Sequence, residues 1–148
     1  MPRTKILFKE SDPLIGRLCG EALAKQPDFE VVACVQTWQA AVYHAREWSI
    51  DVLVTNIDIH SRELLDSVEA IRALCPLVAV LFSSGFDEPY SFEFALRTRP
   101  RGYLCKPFRI ERLVEAIRAV AAGGVYFSEV VRPWIVMGPN GPEFRAKP

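Results

Sequence analysis

The sequence predicts a doubly wound α/β fold: a five-stranded parallel sheet with helices on both faces, in three layers. Two observations carry that prediction. Short apolar or β-branched runs alternate five times with stretches whose apolar residues recur at helical spacing. The run Val52-Leu53-Val54-Thr55 is apolar without alternation, as in strands covered on both faces, and it ends on the polar cluster Asn56-Ile57-Asp58. In such sheets the chemistry gathers just beyond the carboxyl ends of the strands.

Lys5-Ile6-Leu7-Phe8 reads as the first strand, ending at Lys9-Glu10-Ser11. Asp12 is a good N-cap and Pro13 suits the first helical position. In the helix that follows, Leu14, Ile15, Leu18, Cys19, Ala22 and Leu23 share one face, and Pro27-Asp28 stops it. Val31 to Val35 is the second strand. Thr37 caps a second helix with Trp38, Ala41, Val42, Ala45 and Trp48 as its apolar stripe. After the third strand, Val52 to Thr55, Ser61 caps a helix turning Leu64, Leu65, Val68, Ile71 and Leu74 inward, with Pro76 beyond its end. Leu77 to Phe82 gives a fourth strand, finishing at Ser83-Ser84-Gly85. A weaker helix from Glu88 to Leu96 is cut short by Pro100. Gly102 to Cys105 is a short fifth strand, followed by Lys106-Pro107. The last helix carries Ile110, Leu113, Val114, Ile117 and Val120 on one side and ends at Gly123-Gly124.

Residues 125–148 read as a C-terminal tail. Val125 to Val131 is apolar, and then Pro133, Pro139, Pro142 and Pro148 are expected to break any regular element. The tail is too short for a second domain and holds none of the roughly three helices of a helix-turn-helix module. No direct DNA binding is therefore expected. Trp134-Ile135-Val136-Met137 is apolar for a tail and is expected to pack back on the domain or on a second subunit.

With 148 residues, 50% hydrophobic and 24% charged, the composition is that of one globular domain. Lys and Arg balance Asp and Glu at 18 each, so no global field draws nucleic acid or a membrane. No stretch approaches the roughly 18 consecutive apolar residues of a membrane span. The start, Met-Pro-Arg-Thr-Lys, shows no signal-peptide core, and a cytoplasmic location is expected. Cys19, Cys34, Cys75 and Cys105 lie far apart without a C-x-x-C pair, which reads as reduced thiols and not as a metal or disulfide framework.

The strand ends gather the chemistry. Glu10 and Ser11 follow strand one, Asn56 and Asp58 strand three, Ser83 and Ser84 strand four, and Lys106 strand five. Acid, amide, hydroxyl and ammonium together suit a phosphate or metal site. His44 and His60 are the only histidines, and His60 with Asp58 on one loop is too small a set to argue a metal. Arg97, Arg99 and Arg101 read as a solvated rim, with a partner-docking patch as the alternative.

In order and spacing, residues 3 to 131 resemble the receiver domain of two-component response regulators, a CheY-like, flavodoxin-like fold. Glu10-Ser11-Asp12-Pro13 stands where that family has an acidic pair. Counting five residues from Asp51, the acid that opens strand three, lands on Asn56, where the phosphoacceptor Asp belongs. Ser84-Gly85 matches the hydroxyl residue after strand four, and its 22-residue separation from Lys106 favours Ser84 over Ser83. Lys106-Pro107 matches the Lys-Pro after strand five, and Tyr103 matches the aromatic switch. The run from Leu113 to Tyr126 looks like the receiver half of LuxR-type regulators. The resemblance implies sheet order 2-1-3-4-5 and a receiver domain over residues 3–124. It also implies protein partners, a histidine kinase or a downstream regulator, met through the fourth helix, fifth strand and last helix. A homodimer is a further candidate.

The departures bear on function. A receiver forms an acyl phosphate on a carboxylate, with a divalent cation held by that carboxylate and the acidic pair. The amide of Asn56 is neutral and a poor nucleophile. Ser11 replaces the second acid, and a hydroxyl is a weak ligand for Mg²⁺, which favours carboxylates and water. His60 stands where the family has Pro. The expectation is a stand-alone atypical receiver, not an enzyme, without a cofactor beyond weakly held Mg²⁺, acting through protein contacts. Asp58, on the face of Asn56 but ~6.6 Å further along an extended strand, and Asp12 are possible substitute acids. Their plain readings are a rim carboxylate and an N-cap. Lys106 is expected to pair with Glu10 or donate to the Asn56 carbonyl. Tyr103 either swings between buried and exposed positions or is a half-buried aromatic. The alternatives are a conventional regulator phosphorylated on a displaced acid, a receiver derived from a LuxR-type transcription regulator, and, more remotely, a small phosphohydrolase using Glu10, Ser84 and Lys106. Asn56→Asp alone is expected to restore little phosphorylation, and Asn56→Asp with Ser11→Asp more.

Overall fold

The computed structural model describes residues 2–146. The chain runs β1 (Thr4–Lys9), α1 (Pro13–Ala24), β2 (Phe29–Val35), α2 (Trp38–Glu47), β3 (Val52–Thr55), α3 (Arg62–Leu74), β4 (Ala79–Ser84), α4 (Pro89–Leu96), β5 (Gly102–Cys105) and α5 (Ile110–Ala121). The expected N-caps all form. Asp12 accepts from the Leu14 and Ile15 N–H groups, Thr37 from Ala40 and Ser61 from Leu64.

The strands alternate side chains between two cores. Leu7, Leu53, Val80 and Phe82 face one way, against α2, α3 and α4. Ile6, Phe8, Val52, Val54 and Leu81 face the other, against α1 and α5. Burial on both faces explains why β3 reads as an unbroken apolar run. The four cysteines are free thiols, and among the described residues no helix is long and apolar enough to cross a membrane.

The sheet has six parallel strands, not five, in the order β2-β1-β3-β4-β5-β6. The sixth is β6 (Tyr126–Phe127), drawn from the apolar start of the tail. The N–H of Tyr126 donates to the Arg101 carbonyl and that of Ser128 to the Tyr103 carbonyl, each at 3.0 Å. The added strand covers an edge that would otherwise present unpaired backbone groups. Gly102 permits the approach, because a Cβ there would lie 2.5 Å from the Tyr126 carbonyl oxygen.

The tail is more regular than its prolines suggest. A 3-10 turn, Arg132–Trp134, leads into β7 (Ile135–Gly138) and β8 (Gly141–Phe144), an antiparallel hairpin beside α4. Pro133 sits in the 3-10 turn and Pro139 in the hairpin loop, where its fixed φ is no obstacle. Pro142 lies in a two-stranded ribbon whose outer edge needs no backbone donor. Pro148 lies outside the described residues. Trp134 stacks on Phe144 with ring centroids 6.0 Å apart, while Val136 and Met137 remain exposed.

Helix α1 also departs from expectation. It buries Gly16, Gly20 and Leu23, leaving Leu14 at 63% and Leu18 at 57% exposure. The cause is close packing on β2: a Cβ on Gly20 would lie 2.3 Å from the Cys34 sulfur. The backbone therefore approaches through its small residues and turns the leucines outward. Trp48 and Leu74 fall beyond the inward stripes of their helices and are exposed, as is Leu77, because β4 begins at Ala79.

Candidate functional site

Backbone pairing brings the strand ends into one pocket. The Asn56 N–H donates to the Lys9 carbonyl, the Lys106 N–H to the Ser84 carbonyl, and the Glu10 N–H to the Val35 carbonyl. Residues from the ends of β1, β3, β4 and β5 thus converge, as the sequence predicts. What they do there divides into two halves.

On one side, Lys106 Nζ lies 2.7 Å from Glu10 Oε1. Glu10 is 3% exposed, and its other carboxylate oxygen accepts from the Asp12 N–H at 3.2 Å. Lys106 therefore pairs with Glu10 and does not reach Asn56. The Lys106–Pro107 peptide is cis. Ser84 is buried, and its hydroxyl oxygen accepts from the Phe86 N–H at 3.0 Å. Tyr103 occupies the buried position and is not half-buried. It is 1% exposed, packed edge-on against Phe92, and its hydroxyl donates to the Phe86 carbonyl at 2.7 Å. Burial pushes its ionisation well above the usual tyrosine range, with the Ser84 hydroxyl pulling the other way. Phe127 and Val131 from the tail pack in the same apolar cluster.

On the other side stands a residue that the sequence reading passed over. Lys9 is 2% exposed. Its ammonium donates to Asn56 Oδ1 and Ser11 Oγ, each at 3.3 Å, lies 3.6 Å from Asp58 Oδ1, and sits 4.9 Å over the Trp38 ring. Asn56 in turn donates from Nδ2 to Asp58 and, at 3.3 Å, to Ser11. Charge fixes the amide's orientation, since the reverse would set its N–H groups against the ammonium and its oxygen against the carboxylate. A signal for Lys9 existed. Strand alternation puts it on the face of Leu7, so a cation was being directed into the core and required partners.

Asp12 is an N-cap, as its plain reading holds, and Asp58 is a rim carboxylate with a side chain 46% exposed. His60 turns away from Asp58. It bonds Ser91 Oγ at 2.7 Å and packs among Phe86, Tyr90 and Phe94. The three arginines divide: Arg97 and Arg99 line one surface cleft, with Arg99 paired to Glu69, while Arg101 donates to the carbonyls of Gly123 and Gly124.

The donors do not fit the divalent cation that the receiver resemblance implies. Among the described residues no group of three or more His, Cys, Asp or Glu side chains could hold a metal. Glu10 is engaged by Lys106, and an ammonium lies between the amide and hydroxyl where carboxylates would be needed.

A family model described as the response regulator receiver domain matches residues 6–118. The transcriptional regulatory protein DegU of Brevibacillus brevis is 36% identical over 107 residues, covering 70% of this chain and 44% of that protein. The chemotaxis protein CheY of Listeria monocytogenes is 26% identical over 110 residues, covering 74% of this chain and 92% of that protein. The chain spans about half the length of DegU and of MalR from Bacillus subtilis. Two solved structures share the fold. The isolated receiver domain of RcsB from Salmonella enterica serovar Typhimurium has a TM-score of 0.75 at 15% identity, covering 88% of this chain and 96% of that one. A LuxR-family response regulator from Aurantimonas sp. has a TM-score of 0.78 at 20% identity, covering 88% and 93%. The matched residues include every strand end that builds the pocket, and the chain belongs to the response regulator receiver domain family.

Proposed function

We propose that this receiver works in two-component signalling without accepting a phosphoryl group, and that it acts through contacts with protein partners. One observation carries the reading: the side chain at the acceptor position, Asn56, is an amide already bonded through both its oxygen and its nitrogen. An aspartate would offer an anionic oxygen to the incoming phosphorus, whereas the amide offers a weakly nucleophilic carbonyl and an N–H donor. A histidine kinase or a downstream regulator is the class of partner this reading assigns.

The expected contact surface, α4–β5–α5, bears the chain's own segment. A partner approaching β5 meets β6 first, and one approaching α4 meets the hairpin of β7 and β8. The groups an enzyme would use are committed elsewhere, Glu10 to Lys106 and Ser84 to the Phe86 N–H, which supports a regulatory role over phosphohydrolase activity.

Asp58 is the acid through which a conventional phosphorylated reading would run, because it lies beside Asn56. Incubation with acetyl phosphate and Mg²⁺ followed by intact-mass measurement separates the two. The proposal expects an unchanged mass. An increment of one phosphoryl group mapping to Asp58 or Asp12 would overturn it.

A further inference from the structure

We infer that Lys9 is a tethered cation standing in for the divalent metal of a phosphate-accepting receiver, so that the pocket holds its positive charge covalently and takes up no Mg²⁺. The inference deepens the reading above and rests on it.

Position is the first support. Lys9 ends β1, a strand flanked by β2 and β3, and enters the pocket from the sheet. Its partners come from two of the three positions that would bind a metal in the resemblance: Ser11 at the second place of the acidic pair, and Asn56 at the acceptor. Asp58 and the Trp38 ring complete the surroundings. Lys9, 2% exposed as a residue, is enclosed on these sides.

Charge balance is the second. The pocket contains two carboxylates, Glu10 and Asp58, and two ammonium groups, Lys106 and Lys9, paired one to one. Asp12 directs its carboxylate to the N-terminus of α1. A receiver with three carboxylates and one lysine carries surplus negative charge and calls for a divalent ion. This pocket has no surplus, and a divalent ion entering it would approach a fixed ammonium. Chemistry is the third. The groups around Lys9 Nζ are an amide oxygen, a hydroxyl oxygen, one carboxylate oxygen and an aromatic face. That set suits an ammonium and lacks the anionic oxygens that Mg²⁺ prefers.

The consequence is specific. Asn56→Asp with Ser11→Asp restores the acids but leaves the ammonium among them, so that pair of changes is insufficient for metal binding while Lys9 remains. The test titrates Mn²⁺ into three proteins: the wild type, the double variant Ser11→Asp/Asn56→Asp, and the triple variant adding Lys9→Met. Free Mn²⁺ is followed by electron paramagnetic resonance, and folding by circular dichroism. The triple variant is expected to bind Mn²⁺ at least about tenfold more tightly than the double variant, the scale of metal-site neighbour effects. Saturable binding by the wild type, or equal binding by the double and triple variants, would overturn the assignment. If Lys9→Met does not fold, Lys9→Val supplies the apolar replacement in the triple variant, compared with the double variant by the same tenfold criterion. A phosphoryl increment on the wild-type protein would defeat the reading above, whereas equal Mn²⁺ binding by the double and triple variants defeats only the assignment to Lys9.

Discussion

The pocket's two halves are built from similar pieces and held differently. On the β4–β5 side, Ser84, Tyr103 and Lys106 keep the residue types of the receiver pattern. The first two bond the Phe86 backbone and the third bonds a buried acid. On the β1–β3 side, Ser11 and Asn56 depart from the pattern and bond each other and Lys9. On the proposed reading, the difference marks the side of the pocket that no longer accepts phosphate. Receiving phosphate needs anionic oxygens at the ends of β1 and β3; Glu10 keeps its acid there, while Ser11 and Asn56 replace the other two.

The two pocket lysines, Lys9 buried and Lys106 partly exposed, sharpen that contrast. Lys106→Met leaves the Glu10 carboxylate enclosed with one backbone N–H for company, and is expected to cost about 3 kcal/mol, read as a fall in the urea midpoint. Tyr103→Phe removes one buried hydrogen bond to the Phe86 carbonyl and is expected to cost about 1 kcal/mol. The same hydroxyl has a pH signature. Burial raises its ionisation above the ordinary value, so its contribution to stability is complete below about pH 10 and is lost as pH rises through the folded-state value. Alkaline unfolding followed by tyrosinate absorbance should therefore lose its steepest component in the phenylalanine variant.

Lys9→Met, although it removes the more buried lysine and its bonds to Asn56 and Ser11, is expected to cost about 1 kcal/mol, less than Lys106→Met. The acid it abandons, Asp58, lies at the rim and regains water, and a methionine fills the space beside Trp38. A loss equal to that of Lys106→Met would erase the distinction between the halves. The smallest effect belongs to the outer face of α1. Leu14→Ser and Leu18→Ser are each expected to shift stability by no more than about 0.5 kcal/mol, because both leucines are already in water.

Much of this molecule is legible in one dimension. Strand and helix order, the caps Asp12, Thr37 and Ser61, and the convergence of Glu10, Asn56, Ser84 and Lys106 follow from local pattern and from the rule that chemistry sits at strand ends. The rest depends on partners distant in sequence. The outward turn of Leu14 and Leu18 is set by Cys34 across from Gly20, which helical periodicity does not register. The sixth strand exists because Tyr126 and Phe127 find the open edge of β5. His60 reads as an isolated loop histidine until α4 brings Tyr90, Ser91 and Phe94 around it. Lys9 reads as a strand terminus until β3 and α2 close over it.

The claim on which the rest depends is that the β1–β3 side cannot receive a phosphoryl group as it stands. Its most direct test is one acetyl phosphate reaction with Mg²⁺, run in parallel on the wild type and on the variant Lys9→Met/Ser11→Asp/Asn56→Asp, and read by intact mass and peptide mapping. The account predicts no increment on the wild type and one phosphoryl group at position 56 of the variant. A phosphorylated wild-type chain would contradict it.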